Sequence, residues 1–291
     1  MRMRKALSGA ALLAVGAIAL SGCASGGSTT DSAKFPVAEN VTVEGSPTFD
    51  AIKQRGKVIV GVKDDQPGLG YLDAATNERS GFDIEVAQWM AASLGFGADK
   101  IEYKSIPSAN REQSIINGDI DYYVGTYSIT DKRKQQIGFA GPYFVTGQGL
   151  LVRSDDDSIK GPDDLAGKTV CSATGSTPIQ NIRENYPEAK VTEFDKYSQC
   201  VDGLKNKQLD AVTTDEAILI GYAAQDPDAL KVVGEPFTTE KYGIGLSKDD
   251  TALRTFFNKT LTDGGSTWTE IFDRTLGASG TKVEQPKVEA Y

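Results

Sequence analysis

Strand-like and helix-like segments alternate along most of this chain, and this alternation restricts the possible folds more than any other feature. Runs rich in β-branched and aromatic residues predict buried strands at residues 58–62, 101–105, 121–125, 168–172 and 210–214. Segments with helical periodicity separate these runs. Because parallel strands need long crossover connections, which are usually helices, the order predicts an α/β fold with parallel sheets.

One helix is predicted with particular clarity at residues 83–95. The apolar residues that share one of its faces are Ile84, Ala87, Ala91 and Leu94. Asp83 is a candidate N-cap for this helix, and Gly95 is a candidate for its C-terminal stop. A second unit of alternating strands and helices occupies residues 168–233. We therefore expect two lobes of similar design.

The N-terminus carries a basic and apolar leader. Basic residues precede an uncharged run at residues 6–20, which leads to Cys23. The pattern predicts a secretory signal peptide at residues 1–22, and its Leu-Ser-Gly-Cys sequence resembles the lipobox of bacterial lipoproteins, whose cysteine receives a diacylglycerol. A transmembrane anchor with an incidental cysteine is the alternative, but the run is shorter than the roughly 20 residues that span a bilayer. We expect lipidation at Cys23 and an extracytoplasmic protein anchored to the cell membrane.

Composition distinguishes the segment after the leader from the rest of the chain. Residues 23–46 are small, polar and poor in large apolar side chains, which predicts a flexible, lipid-tethered linker. About 240 residues remain after it, enough for one large domain or two lobes. The whole chain has a formal net charge of −9. Such acidity disfavours nucleic acid or an anionic membrane surface as a partner.

The cysteines agree with an extracytoplasmic location. With Cys23 assigned to lipidation, Cys171 and Cys200 remain as an even pair. In an oxidising compartment such a pair predicts a disulfide, and two reduced, buried thiols are the alternative. Closing a loop of this length stabilises a fold by about 3 to 4 kcal/mol in the chain-entropy model.

The chain contains no His. Without histidine, the usual general base for Ser or Cys nucleophiles is missing. Metal binding is also poorly supported, because the chain has neither His nor a Cys cluster. We therefore expect no cofactor and no metal site.

Several ordered motifs give the chain a specific resemblance over residues 58–277. Residues 81–94, GFDIEVAQWMAASL, resemble the signature of the family 3 extracellular solute-binding proteins, which deliver polar amino acids to ABC importers. Further stretches that match the same family are 110–144, 172–177, 209–215 and 267–277. The resemblance implies an α/β protein with a type II periplasmic-binding-protein fold, in which two lobes close on a ligand. Each lobe is expected to be a mixed, mainly parallel sheet flanked by helices.

The same resemblance implies a division of the chain. Lobe one is discontinuous, and the chain crosses between the lobes near residues 146–150 and 237–243. The expected divisions are lobe one at 47–146 and 242–279, lobe two at 147–241, and a polar tail at 280–291. The implied partners are an amino acid and the permease subunits of an ABC importer, and we expect the protein itself to be a monomer.

The resemblance also assigns contacts for the α-carboxylate and amino groups of a ligand. Arg133 matches the arginine with which the family holds the α-carboxylate, a role that suits the planar guanidinium fork. The alternative is a solvated cation in the run Asp-Lys-Arg-Lys. Thr126 and Ser128 match positions whose backbone and hydroxyl groups contact the amino and carboxylate groups of the ligand.

Further contacts are expected from the other side of the cleft. Thr174 and Gly175 match a family position that holds the second side of the α-carboxylate, at a helix start whose free N–H groups suit an anion. A simple helix cap is the alternative for this turn. Asp215 matches the acid that pairs with the ligand ammonium, and capping of the helix that begins at Glu216 is its alternative role.

Four residues bear on the choice of ligand. Lys63, Ser108 and Arg111 resemble the basic and hydroxyl positions of glutamate and aspartate binders, and Tyr197 is a candidate donor to a side-chain carboxylate. Together with Arg133 and Asp215, these residues suit a ligand with two carboxylates and one ammonium. The sequence therefore predicts capture of L-glutamate or aspartate.

Other interpretations of the same residues remain open at this point. Lys63 could pair with a neighbouring aspartate, and Arg111 with Glu112 at the surface. The protein could bind another polar amino acid such as glutamine, or act as a tethered amino-acid sensor. An enzyme on the same fold is a further alternative, which the missing histidine disfavours.

Overall fold

A computed structural model describes residues 34–277 and 283–291 of the chain. The predicted signal peptide, the lipidation at Cys23 and the start of the linker lie outside these residues. Within the described ranges, no helix is long and apolar enough to cross a bilayer.

Two five-stranded sheets form the framework of the body. The strands of the described residues are β1 Val58–Val62, β2 Asp65–Gln66, β3 Gly70–Leu72, β4 Arg79–Ser80, β5 Ile101–Ser105, β6 Tyr122–Tyr123, β7 Gly138–Thr146, β8 Gln148–Arg153, β9 Thr169–Ala173, β10 Lys190–Phe194, β11 Ala211–Asp215, β12 Leu230–Val233 and β13 Glu240–Leu246. The first sheet has the order β5-β1-β6-β13-β7, and the second has the order β10-β9-β11-β8-β12. The short strands β2, β3 and β4 make a small separate sheet.

Each large sheet contains one strand that runs against the other four. In the first sheet β13 pairs antiparallel with β6 and β7, while β1 pairs parallel with β5 and β6. In the second sheet β8 pairs antiparallel with β11 and β12, while β9 pairs parallel with β10 and β11. The predicted mixed, mainly parallel α/β architecture is confirmed.

Helices flank both sheets, so that the body has two lobes of similar design. The α-helices of the described residues are α1 Pro47–Arg55, α2 Phe82–Ser93, α3 Arg111–Ile116, α4 Asp131–Lys134, α5 Thr177–Asn185, α6 Tyr197–Lys205, α7 Glu216–Gln225, α8 Thr251–Asp263 and α9 Gly265–Thr275. Short 3-10 turns occupy Ala98–Lys100, Ser108–Asn110 and Pro162–Leu165. Helices α5, α6 and α7 contact the second sheet.

The chain passes between the sheets twice, at neighbouring places. It leaves the first sheet after β7 and enters β8 through Gly147. A Cβ atom at Gly147 would lie 2.4 Å from the carbonyl oxygen of Thr238, which belongs to the returning segment before β13. The two connections therefore run side by side with no room for a side chain between them. The lobe boundaries given above remain a prediction.

The structure differs from the sequence prediction at the ends of several elements. The predicted strand at 121–125 shortens to Tyr122–Tyr123, and two others shift by one residue to Thr169–Ala173 and Ala211–Asp215. Asp83 lies inside α2 and does not cap it, because Gly81 holds the N-cap position. Gly95 follows the helix in a left-handed conformation with φ of 92°, as expected for a helix stop.

The structure also corrects the C-terminal end of the predicted linker. Phe35 and Val43 are buried in the apolar core of the first lobe, and the amide of Ala38 donates to the carbonyl of Ala92. Ser46 caps α1 by accepting a hydrogen bond from the amide of Phe49. Phe35, Val43 and the partly buried Val41 pack this segment against the core, although the low average hydrophobicity of the stretch predicts a linker.

Cys171 and Cys200 are joined by a disulfide, as predicted, with their Cα atoms 5.6 Å apart. The bond ties β9 to α6 inside the second lobe. Both cysteines are fully buried. Cys171 lies just before the turn that carries Gly175, and Cys200 lies one turn after Tyr197, so the bond holds together two predicted parts of the site.

The last described residues cover the edge of the first sheet. The amide of Glu289 donates to the carbonyl of Gly141 in the edge strand β7 at 2.9 Å. The amide of Phe139, in the same strand, donates to the hydroxyl of Tyr291 at 2.8 Å. The tail therefore satisfies backbone groups that an edge strand otherwise exposes.

Candidate functional site

The site is built where the carboxyl ends of strands from both sheets meet. Lys63 follows β1, and Thr126 and Ser128 follow β6 in the first lobe. Gly175 follows β9, and Asp215 ends β11 in the second lobe. The carboxyl ends of parallel strands are the usual position of ligand sites in α/β folds.

Most of the predicted site residues are buried in the structure, which the sequence alone does not show. The predicted residues with side chains buried from solvent are Lys63, Ser108, Arg111, Thr126, Ser128, Arg133, Tyr197 and Asp215. Thr174 is half-buried and Gly175 is exposed at the edge of the cluster. Buried polar side chains in such number need a compensating network of hydrogen bonds and charges.

Lys63, Ser108 and Arg111 form one basic corner of the first lobe. Lys63 Nζ donates to Ser108 Oγ at 2.7 Å. Arg111 Nε donates to the carbonyl of Ser108 at 3.1 Å, and its Nη1 donates to the carbonyl of Thr126 at 3.4 Å. Burial, and secondarily the charge of Arg111, lowers the pKa of Lys63 to about 7.

The surface-pairing alternative for these two cations is wrong. Lys63 is 4% exposed and Arg111 is 2% exposed. Glu112, the suggested partner of Arg111, instead accepts a hydrogen bond from Arg133 Nε at 3.2 Å. Among the described residues, neither Lys63 nor Arg111 lies within ion-pair distance of a carboxylate.

Arg133 is also buried, and it connects the two lobes. Its Nη1 donates to the carbonyl of Ser128 at 2.7 Å, and its Nη2 donates to the carbonyl of Gly175 at 3.0 Å. The helix that carries it is started by Thr130, whose hydroxyl accepts from the amide of Arg133. The interpretation of Arg133 as a solvated surface cation is therefore wrong. Burial, followed by the nearby charge of Arg111, lowers its pKa.

One aromatic ring lies against both buried guanidinium groups. The ring centre of Tyr127 is 4.1 Å from Arg111 Cζ and 4.9 Å from Arg133 Cζ. Tyr127 is itself buried. The electron-rich ring face attracts each cation, which offsets part of the repulsion between them.

Asp215 is the acidic residue of the cleft. Its Oδ2 accepts a hydrogen bond from the hydroxyl of Tyr242 at 2.6 Å, while its Oδ1 is buried and has no hydrogen-bond partner within the described part of the chain. Asp215 occupies the N-cap position of α7 but makes no side-chain cap bond, so the capping alternative is wrong. Burial and the charge of Glu240 raise the pKa of Asp215 to about 8.

The turn at Thr174 and Gly175 packs closely against the first lobe. Gly175 has a left-handed φ of 76°, and a Cβ atom there would lie 2.8 Å from the Cα of Ala109. Only a residue without a side chain allows this approach. The next residue, Ser176, caps α5 through its hydroxyl, as the sequence suggested for this helix start.

Tyr197 lies at the start of α6, below this turn. It is 3% exposed. Burial and the charge of Asp215 raise its pKa to about 12, so its hydroxyl stays protonated and able to donate. The structure thus brings Tyr197 into the same buried cluster as Asp215 and Arg111.

Several residues at the site were missed from the sequence. Thr177 Oγ1 donates to Glu240 Oε2 at 3.0 Å and lies 3.4 Å from Ser128 Oγ. Asp83 accepts from the amide of Thr126 at 2.9 Å and from the hydroxyl of Tyr143 at 2.8 Å. Asp83 stands in the motif at residues 81–94, but the local pattern there predicts a helix cap and not a contact with Thr126.

A second set of contacts joins the lobes outside this cluster. Lys196 Nζ lies 2.8 Å from Asp64 Oδ2. Asp65 accepts from the amide of Ser198 at 3.1 Å through Oδ2, and its carbonyl accepts from the hydroxyl of Tyr222. These two aspartates contact the second lobe, and their charges reach Lys63 only from beyond ion-pair distance, where they raise its pKa.

The sequence pattern of the bacterial extracellular solute-binding proteins, family 3, matches residues 58–277. The chain belongs to this family. The match spans both lobes and all ten predicted ligand contacts, and it confirms the resemblance given by the motifs. Members of the family are solute-binding proteins, so the enzyme alternative is wrong.

Two curated relatives differ in the ligand that their names give. A glutamate-binding protein of Corynebacterium efficiens is 44% identical over 228 residues, which cover 75% of this chain and 77% of the relative. A glutamine-binding protein of Geobacillus stearothermophilus is 43% identical over 234 residues, which cover 79% and 87%. Overall identity alone therefore does not distinguish these two ligands.

Solved structures of other amino-acid-binding proteins share the fold. An arginine-binding protein mutant of T. maritima is 30% identical with a TM-score of 0.74, covering 79% of this chain and 99% of that protein. A solute receptor for L-cysteine of Neisseria gonorrhoeae is 26% identical with a TM-score of 0.76, covering 84% and 99%. These similarities agree with the two-lobed architecture described above.

Proposed function

We propose that this protein captures L-glutamate outside the cytoplasm, with aspartate as a weaker ligand, and delivers it to the permease of an ABC importer. The observation that carries this proposal is the basic corner of Lys63 and Arg111. Both cations are buried, and their hydrogen bonds within the described structure go to a hydroxyl and to carbonyls. Asp64 and Asp65 act on Lys63, and Glu112 acts on Arg111, only from beyond ion-pair distance. A buried charge without a direct ion-pair partner is costly, so a ligand carboxylate placed there would gain strongly.

The rest of the cleft supplies complementary groups for an α-amino acid. Arg133 is positioned between Ser128 and Gly175, where its guanidinium can hold an α-carboxylate against the Thr174–Gly175 turn. Asp215 Oδ1 is free to accept from an ammonium group. Thr126, Ser128, Ser108 and Tyr197 supply further polar groups around these charges. A dicarboxylic amino acid matches this arrangement of charges.

Glutamate is expected to bind more tightly than glutamine by about thirtyfold or more. The neutral amide would leave a buried cation unmatched, which typically costs about 2 kcal/mol or more. Aspartate keeps both carboxylate charges but is one methylene shorter, so we expect its lower affinity to arise because its side chain does not extend far enough to the two cations. Calorimetric titration of the protein without residues 1–23 against the twenty amino acids measures this order. The Lys63→Met and Arg111→Gln variants should reduce the preference for glutamate over glutamine.

The control for these variants is Lys100→Met, which removes an exposed lysine outside the cleft. It should leave the preference unchanged. Equal affinity of the wild type for glutamate and glutamine would refute the acidic-ligand proposal and leave the family assignment intact.

Glutamine is the second candidate ligand. The glutamine-binding relative of Geobacillus stearothermophilus, at 43% identity, favours it. Burial lowers the pKa of Lys63 to about 7, so a partly neutral Lys63 would tolerate an amide better than a fixed cation would. The same titration distinguishes the two candidates.

Lipid attachment at Cys23 completes the proposal, because a captured solute is useful only near its permease. We expect the protein to fractionate with membranes, since two or more acyl chains anchor far more firmly than one. The Cys23→Ser form should appear in the soluble fraction, as measured by fractionation and mass spectrometry of the N-terminus. A Cys23→Ser protein that stays fully membrane-bound would contradict lipid anchoring.

A further inference from the structure

The hydrogen bond between Tyr242 and Asp215 joins the two lobes at the acidic residue of the cleft. Tyr242 lies in β13 of the first sheet, whereas Asp215 ends β11 of the second. The tyrosine side chain is fully buried, and its hydroxyl is 2.6 Å from Asp215 Oδ2. Local sequence patterns do not predict this pairing, because the two residues belong to different sheets.

We infer that Tyr242 is a positioning residue for ligand binding, which holds Asp215 so that its Oδ1 faces the ligand ammonium. The inference rests on the proposed function, because it takes Asp215 as the ammonium-binding acid. One carboxylate oxygen is occupied by the tyrosine, and the other is buried without a partner within the described residues. A carboxylate fixed through one oxygen presents the second in a single direction, which reduces the ordering cost of binding.

The backbone around Tyr242 is well suited to this role. Ser128 and Tyr242 pair as an isolated β-bridge, and the amide of Gly243 donates to the carbonyl of Tyr127 at 2.9 Å. The tyrosine ring packs against those of Phe144 and Tyr143, at centroid distances of 5.8 and 6.1 Å. The segment that carries Ser128 therefore also fixes the hydroxyl that reaches Asp215.

The hydroxyl also affects the charge of Asp215. Burial and the charge of Glu240 raise the pKa of this carboxyl to about 8, while the Tyr242 hydrogen bond and the charges of Arg111 and Arg133 oppose that rise. The phenol of Tyr197 also faces this carboxyl and stays neutral. Removing the hydroxyl should raise the pKa further, so that less Asp215 is ionised at neutral pH.

The Tyr242→Phe variant tests the inference, with calorimetric titration of L-glutamate between pH 6 and pH 9. We expect the dissociation constant to rise about tenfold at pH 7, which is typical for the loss of a hydrogen bond to a charged group. The ratio of variant to wild-type dissociation constants should fall as the pH rises, because Asp215 becomes ionised in both proteins. The pKa of Lys63 is about 7, within the same pH range. Because Lys63 is present in the variant and in the wild type, its titration cancels in the ratio of their dissociation constants.

Two further variants make the result specific. Tyr122→Phe removes another buried hydroxyl, which bonds to the carbonyl of Ala87 away from the cleft, and should leave the dissociation constant unchanged. In an Asp215→Asn background the Tyr242→Phe substitution should have little further effect, as a double-mutant cycle measures.

The outcomes separate this inference from the proposed function. A ratio near one at every pH, or a loss that does not vary with pH and persists in the Asp215→Asn background, would overturn the positioning role. If the wild type prefers L-glutamine, the proposed ligand fails, and the same series with L-glutamine still tests Tyr242, because every α-amino acid carries the ammonium. A wild type that binds no amino acid would overturn both.

Discussion

Arg133→Ala is expected to remove measurable binding of every amino acid. Arg133 donates to Ser128 in the first lobe and to Gly175 in the second, and it lies beside the position proposed for the α-carboxylate. Truncating a buried, hydrogen-bonded charge typically costs about 2 to 5 kcal/mol in affinity. The substitution also removes a contact between the lobes, so we expect a loss of about a thousandfold or more.

The matched control for this variant is Lys132→Ala, which removes an exposed cation from the same short helix. It should bind with wild-type affinity. Calorimetric titration with glutamate, glutamine and aspartate measures both variants, and circular dichroism checks that they fold. A loss confined to one of these ligands would contradict the assignment of Arg133 to the α-carboxylate, because all amino acids share that group.

Gly175→Val is expected to prevent the lobes from closing and so to abolish binding. The new Cβ would lie 2.8 Å from the Cα of Ala109, which is backbone and cannot move aside as a flexible side chain would. The lobes would have to separate to relieve this overlap. Solution scattering should then show a larger radius of gyration than the wild type has with saturating glutamate, and no compaction when ligand is added.

Gly167→Val separates this steric effect from backbone strain. Gly167 has φ of 73°, close to the 76° of Gly175, but a Cβ atom there would meet no atom within 4 Å. Both variants therefore force a β-branched residue into the left-handed region, and both should lose stability. Binding should persist only in Gly167→Val. Equal loss of affinity in the two variants would show that strain, and not a blocked closure, is responsible.

The regular elements could be predicted from the sequence because local patterns determine them. The strand at Val58–Val62 and most of helix Phe82–Ser93 occupy the expected positions. The predicted ligand contacts also lie close together, since the family motifs place them at strand ends or in the turns and helices that follow the strands. Their roles in binding remain predictions.

The features that could not be predicted from the sequence depend on contacts between segments that are far apart in the chain. Asp83 fits the local pattern of a helix cap, but its carboxylate accepts from the amide of Thr126, which follows β6, and from the hydroxyl of Tyr143 in β7. Tyr242 and Glu240 act on Asp215 only because β13 returns to the first sheet beside the cleft. Phe35 and Val43 dock a segment whose composition predicts a flexible linker.

The contacts of Asp64 and Asp65 with the second lobe have a consequence for the range of concentrations that the protein responds to. These bonds join the lobes but involve none of the predicted ligand contacts. They stabilise the arrangement in which the lobes meet by the same amount whichever solute lies between them. Asp64 and Asp65 also raise the pKa of Lys63, so the effect on closure alone is expected for changes at their partners Lys196 and Tyr222. Such changes can therefore shift the half-saturation concentration for all solutes by a common factor while the order of preference is retained. The sensitivity and the selectivity of such a receptor can thus be adjusted independently, by natural variation or in a designed metabolite sensor.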